Sequence, residues 1–209
     1  MSLKIVSDGI YYACACLLVG ITASYLLNIW VGIPFYVLAA FCLYFFRDPD
    51  RVTPPGDLII SPADGKVVAV LALSETQTRI SIFLNIFNVH VNRTPVAGRI
   101  VEVKYQKGRF RVASHEAASS DNEQNTLIIE GPTSRVVCKQ IAGLIARRIV
   151  CSKKAGDLVA AGERIGYIKF GSRMDVIFGP EYKPAVKLGD AVKAGSSILA
   201  KPVVEGAGR

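Results

Sequence analysis

The chain has 209 residues, enough for a domain with a real core, and its net charge of +8 directs attention to anionic partners. The basic residues are scattered among short apolar runs, with no basic helix and no aromatic RNA-binding signature. This argues against nucleic acid and leaves anionic lipid. Five cysteines supply no C-x-x-C pair: Cys14, Cys16 and Cys42 fall in one apolar segment, Cys138 and Cys151 in strand-like runs, and a reducing compartment is the simpler reading.

In chain order, residues 9–46 come first, and they contain no Asp, Glu, Lys or Arg. A single membrane helix needs about 20 apolar residues. The segment is nearly twice that, with its natural break at Asn28-Ile29-Trp30-Val31-Gly32-Ile33-Pro34. Two helices, over 9–27 and 33–46, predict a membrane-associating hairpin with both ends on one side. The alternative is a buried hairpin in a soluble core. A cleaved signal peptide fits poorly, because the run is too long and Arg47-Asp48-Pro49-Asp50-Arg51 follows at once. Lys4 and Asp8 cancel, so the positive charge lies in residues 47–209, which the positive-inside rule keeps on the cytoplasmic side of a cell membrane. The expected domains are therefore 1–46 and 47–209.

Beyond Arg51 the sequence breaks into short β-type runs separated by Gly, Pro and Asp: 66–73, 79–87, 99–105, 126–130, 135–142, 147–151, 164–170, 174–178 and 197–200. This spacing predicts a mostly-β body of sandwich or barrel type rather than βαβ units. Residues 114–125 are polar and read as a loop or short helix. Residues 155–166 and 188–199 share G-D-x-V-x-x-G at an offset of 33. The same spelling occurs in biotinyl and lipoyl carrier domains and predicts a biotinyl/lipoyl-like C-terminal half. Those carriers present Lys beside Met at a hairpin tip, whereas the turn between the two repeats here offers Gly171-Ser172. The repeat therefore supports the fold more than a carrier role.

Three turns combine reactive side chains with constrained backbone. Ser61-Pro62-Ala63-Asp64-Gly65 reads by itself as a type I turn. His90, one of two histidines, closes an apolar run within Asn88-Val89-His90-Val91-Asn92-Arg93; alone it reads as structural, and His115 as an exposed loop residue. Gly171-Ser172 alone is a surface turn. Together Asp64, His90 and Ser172 supply an acid, a base and a nucleophile. Ser172 does not sit in the strand-to-helix G-x-S-x-G elbow of an ordinary serine hydrolase.

Phe46-Arg47-Asp48-Pro49, Ser61-Pro62-Ala63-Asp64-Gly65, His90-Val91-Asn92-Arg93, Ala146-Arg147-Arg148-Ile149 and Lys169-Phe170-Gly171-Ser172, in this order, resemble the short, membrane-associated form of phosphatidylserine decarboxylase over about 45–200. Asn88 stands where many relatives carry Asp. The resemblance implies a proenzyme that cuts itself at Gly171-Ser172 into an associated β fragment (1–171) and α fragment (172–209). Ser172 becomes a pyruvoyl group, the only cofactor, with no metal and no PLP. That group condenses with the amine of phosphatidylserine and serves as electron sink for loss of CO2, giving phosphatidylethanolamine. His90, oriented by Asp64, is the implied acid–base, and Arg93 a candidate contact for substrate phosphate or carboxylate. Homo-oligomerisation is left open. Two other classes stay in view: a membrane-anchored carrier or adaptor, and a membrane serine hydrolase.

Overall fold

A computed structural model describes residues 3–108, 118–131, 133–143, 148–169 and 172–203. The chain divides into two compact units, 1–50 and 51–209. In the first, strand β1 (Leu3–Ile5) leads into α1 (Ser7–Leu26), then α2 (Ile29–Phe45) and β2 (Arg47–Pro49). The helices lie against each other where glycines remove bulk: a Cβ on Gly32 would stand 2.7 Å from the Gly20 carbonyl oxygen. Helix α2 starts four residues earlier than the sequence suggested, because the Asn28 side chain accepts from the Val31 amide and caps it. Pro34 then falls inside the helix, at the cost of one backbone bond. The pairing Leu3↔Pro49 returns the chain to the end where it began, as a hairpin requires. Among the described residues one helix, α1 with 20 residues, is long and apolar enough to cross a membrane; α2 is shorter. Leu18, Tyr25, Leu27 and Trp30 are exposed.

The second unit is mostly β, and every strand pair is antiparallel. Its strands are β3 (Ile59–Ile60), β4 (Gly65–Ser74), β5 (Gln77–Leu84), β6 (Val91–Arg93), β7 (Gly98–Gln106), β8 (Gln124–Glu130), β9 (Arg135–Ala142), β10 (Ile149–Cys151), β11 (Leu158–Val159), β12 (Arg164–Ile168), β13 (Ser172–Phe178), β14 (Tyr182–Pro184), β15 (Ala191–Val192) and β16 (Ile198–Pro202). A short helix, α3 (Ala118–Asp121), precedes β8. The main sheet runs β11-β7-β8-β9-β13-β5-β4-β15, and two small sheets run β10-β12-β6 and β14-β16-β3. Alternate residues of the central strands, among them Ile80, Ile82, Leu127, Ile129, Met174 and Val176, form the buried core. Strand β5 stops at Leu84 rather than reaching Phe87, because the Asn85 side chain accepts from the Phe87 amide and starts a turn.

The sheet order is a palindrome about the β9–β13 contact, and the hydrogen bonds repeat with it. Gly156 N–H donates to Ile100 O at 2.7 Å and Gly189 N–H to Val67 O at 2.9 Å. Gly162 N–H reaches Thr94 O at 3.0 Å, and Gly195 N–H reaches Ser61 O at 2.8 Å. Arg93 N–H to Pro62 O is mirrored by Ile60 N–H to Pro95 O, both 2.9 Å. The paired glycines share a left-handed backbone, φ 95° at Gly156 and Gly189, 76° at Gly162 and 71° at Gly195. The repeat therefore extends beyond G-D-x-V-x-x-G to Ser61–Val67 and Thr94–Ile100. One half of this internal two-fold is continuous, β6 to β12. The other is β3–β5 plus β13–β16, an opened hairpin with the first half inserted between Leu84 and Ser172. Segment 85–90 is one crossover joining the halves, and the other connection lies between Lys169 and Ser172.

Candidate functional site

The three residues singled out above gather at those crossovers. Ser61-Pro62-Ala63-Asp64-Gly65 is indeed a turn: Ser61 Oγ donates to Ala63 O at 2.7 Å, and Gly65 allows the Phe83 carbonyl to approach where a Cβ would stand 2.2 Å away. The turn does not account for the carboxylate. Asp64 accepts from Arg51 Nη2 at 2.8 and 3.1 Å and from the Ala194 amide at 2.8 Å. Thr94-Pro95-Val96-Ala97-Gly98 makes the same turn backbone with Ala97 in the corresponding place.

His90 is 2% exposed, and its Nδ1 lies 2.9 Å from the Asn88 carbonyl oxygen. A carbonyl only accepts, so Nδ1 carries the proton and Nε2 is the basic nitrogen of the neutral ring. The Asn85–Asn88 turn sets this up: Asn88 N–H donates to Asn85 O at 3.1 Å, and Asn88 Oδ1 accepts from Asn85 N–H at 2.9 Å. The position next to Nδ1 that a catalytic acid would take is thus filled by a main-chain carbonyl. Among the described residues Asp64 bonds Arg51 and Ala194.

Ser172 opens β13, between Leu84 of β5 and Ala142 of β9. It is fully buried, and its Oγ has no hydrogen-bond partner among the described residues. An unsatisfied buried hydroxyl costs about 1–3 kcal/mol, so its retention asks for a reason. The next residue is firmly held: Arg173 Nε donates to Asp175 Oδ1 and Nη2 to Ser81 Oγ, both at 2.7 Å, and Ser119 Oγ donates to Asp175 Oδ2 at 2.6 Å. Gly171, the other side of the expected cleavage site, lies outside the described residues, as do His115, Ala146 and Arg147.

Register brings these elements together. Lys66↔Phe83 sets Gly65 beside Leu84, and Leu84 pairs with Ser172. Two strand spacings make that separation roughly 10 Å between backbones. The His90 carbonyl accepts from Ile168 N–H, four residues before Ser172. The internal two-fold gives an independent measure. Strand register matches Ser172 to Ser134, and the 33-residue offset matches Asp64 to Ala97, His90 to Asp57 and Ala194 to Ala161. Ser134, Ala97, Asp57 and Ala161 all line one cavity of about 200 Å³. The matching constellation at the crossovers is therefore one place in the fold, not three.

Arg93 is held away from free solution. Its Nη1 donates to Gly162 O at 3.0 Å, and a Cβ on Gly195 would meet its Cδ at 2.8 Å. Reading the sequence alone missed Arg51, the Asn88 carbonyl and the Arg173–Asp175–Ser81 lock. In the sequence Arg51 reads only as part of the charged stretch that follows the apolar segment, and a main-chain acceptor leaves no mark in a sequence. Among the described residues no group of three or more His, Cys, Asp or Glu stands ready to hold a metal ion.

The family model for phosphatidylserine decarboxylase matches residues 38–200. A phosphatidylserine decarboxylase proenzyme of Solibacter usitatus is 57% identical over 199 residues, covering 95% of this chain and 97% of that protein. One from Ruegeria pomeroyi is 47% identical over 183 residues, covering 82% of each. This chain, with its buried serine at an opened hairpin, belongs to the phosphatidylserine decarboxylase family.

Proposed function

We propose that the chain is a self-processing, pyruvoyl-dependent decarboxylase that converts phosphatidylserine to phosphatidylethanolamine and CO2. The observation that carries the reading is Ser172: a buried hydroxyl without a partner, first in a central strand, in a chain whose relatives are named proenzymes. Ser172 Oγ attacks the Gly171 carbonyl, His90 Nε2 taking its proton, and the amide becomes an ester. Loss of the Ser172 α-proton then expels fragment 1–171 as its carboxylate; the dehydroalanine left at residue 172 tautomerises to an imine and takes up water, releasing ammonia and leaving the pyruvoyl group. Asp64 is the acid proposed to balance the imidazolium charge, with Arg51 and the Ala194 amide holding it in place.

The cut severs one of the two connections between the halves and leaves the other, 85–90, within fragment 1–171, and the fragments have every reason to stay together. The α fragment supplies β13 to the middle of the main sheet, β15 to its edge beside β4, and β16 beside β3. Bound at residue 172, the pyruvoyl group supplies the electron sink for decarboxylation. The surroundings fit it: Ser172 is fully buried, and Arg173, Asp175 and Ser81 fix the residue that follows. His90 holds the proton that returns to the substrate α-carbon. Arg93 has weaker support as a substrate contact, since its bond to Gly162 and its packing on Gly195 already account for its burial.

The apolar unit 1–46 is proposed to hold the enzyme on the membrane that contains its substrate, with residues 47–209 on the cytoplasmic side. The paired G-D-x-V-x-x-G turns favour a biotinyl/lipoyl-like fold for the C-terminal half. The test is CO2 release from phosphatidylserine vesicles. The wild type should release CO2 and lose that activity to borohydride, and Ser172→Ala should release none. Activity that survives both treatments sinks the reading. Labelling of an intact Ser172 by a fluorophosphonate would favour a hydrolase instead.

A further inference from the structure

The two halves differ in their interiors at one matched pair of positions. In one half the pair is Ile59 and Phe178, both in the apolar core. In the other it is Asn92 and Gln140, both fully buried. Gln140 Nε2 donates to Asn92 Oδ1 at 2.9 Å, and Gln140 Oε1 accepts from Asn125 Nδ2 at 3.0 Å. This chain of amides has a direction. It fixes the Asn92 oxygen as acceptor and turns its Nδ2 away as a donor, and no described residue accepts from that nitrogen. The fold needs no polar pair here, since Ile59 and Phe178 fill the matched place. A buried amide donor left open destabilises the fold unless something arrives to accept from it.

Its position suggests what arrives. Gln140 pairs with Met174, and Ala142 with Ser172, so Gln140 lies on the face of Ser172 one diagonal step away, a neighbour separation of about 7–8 Å. Asn92 is bonded to Gln140 and lies two residues from His90 in the chain. The second orphan in this region is Ser172 Oγ itself.

We infer that Asn92 Nδ2 is the oxyanion donor of self-cleavage, an assignment that rests on the processing reaction proposed above. As Ser172 Oγ bonds to the Gly171 carbonyl carbon, the carbonyl π pair moves onto its oxygen, and the Oγ proton passes to His90 Nε2. Asn92 N–H donates to that oxyanion. Collapse re-forms the carbonyl and expels the Ser172 nitrogen, which takes the proton back from His90. The ester results with no net change in charge. Gln140 and Asn125 are positioning residues that keep the Asn92 donor aimed.

Asn92→Asp keeps the shape and the bond from Gln140 but removes the donor. The full chain is translated in a pulse, and its conversion to two fragments is followed. Removing one oxyanion donor typically costs 10²–10³-fold, so the cleavage half-time should lengthen about 100-fold. Hydroxylamine, which cleaves esters, should not restore the rate, because the ester itself is not formed. Asn92→Ile with Gln140→Phe copies the apolar pair of the other half; it should fold with an unchanged melting temperature and cleave as slowly. Cleavage at the wild-type rate in either variant overturns the assignment, and so does rescue of Asn92→Asp by hydroxylamine, which places the loss after the ester. A wild-type chain that never cleaves would instead overturn the proposed function.

Discussion

Ser61–Val67 and Thr94–Ile100 make one turn twice. Each receives an amide from a left-handed glycine, each pairs with a two-residue edge strand, and each carries Pro second and Gly fifth. Only the first has a carboxylate, Asp64, where the second has Ala97. A turn that forms equally well with alanine does not need an acid, so Asp64 is retained for something other than the turn. The same comparison separates His90 from Asp57, and the Asn92–Gln140 pair from Ile59–Phe178. The polar side chains concentrate at one of the two positions related by the two-fold, with Asp64 and Ser172 supplied by one half and His90, Asn92 and Gln140 by the other.

Six substitutions break or sharpen that comparison. The largest effect is expected from Asp64→Ala, which makes the first turn a copy of the second: the chain should fold, and self-cleavage should slow by about 10³-fold, within the range for acid–base partners. Normal cleavage, followed by gel or mass, would make the carboxylate structural after all. Next is Asp175→Ala, which strands the buried Arg173 guanidinium and should cost about 3 kcal/mol in a urea titration. The matched Arg135 is exposed, and Arg135→Ala should change stability by less than about 0.5 kcal/mol. Gly162→Ala and Gly195→Ala each put a side chain into a left-handed backbone, at about 1–2 kcal/mol. If the two-fold governs the energetics, their melting shifts agree; one neutral substitution would break the match.

The smallest effect concerns pH. Glu163 has Ser196 as its counterpart, and the Lys153 ammonium bonded to Glu163 holds its carboxyl below the usual glutamate range, helped by the Ala160 amide. Its folded-state pKa is depressed, so its contribution is present above the unfolded value and is lost as pH falls through the folded one. Glu163→Gln should therefore flatten the acid limb of melting temperature against pH, and an unchanged limb would remove the bond from the account.

Much of the site was legible because it is spelled in short, ordered motifs: Asp64 next to Gly65, His90 at the end of an apolar run, Ser172 after Gly171. The strands were legible through alternation, and the second repeat turns through their glycines. The first pair of turns escaped because only Pro and Gly are shared between them, too little for sequence to announce. The partners of the site escaped for a different reason. Arg51 reaches Asp64 across a turn, Gln140 reaches Asn92 across 48 residues, and the acceptor at His90 Nδ1 is a main-chain atom. Such contacts are set by register, which alternation alone does not number.

The central claim is that Ser172 converts itself, and the most direct measurement is the intact mass of the purified protein. Two polypeptides are predicted, 1–171 and 172–209, the smaller lighter by one ammonia than a fragment beginning with serine and closed to Edman degradation. A single intact 209-residue chain, or a 172–209 fragment with a free serine terminus, would contradict the account.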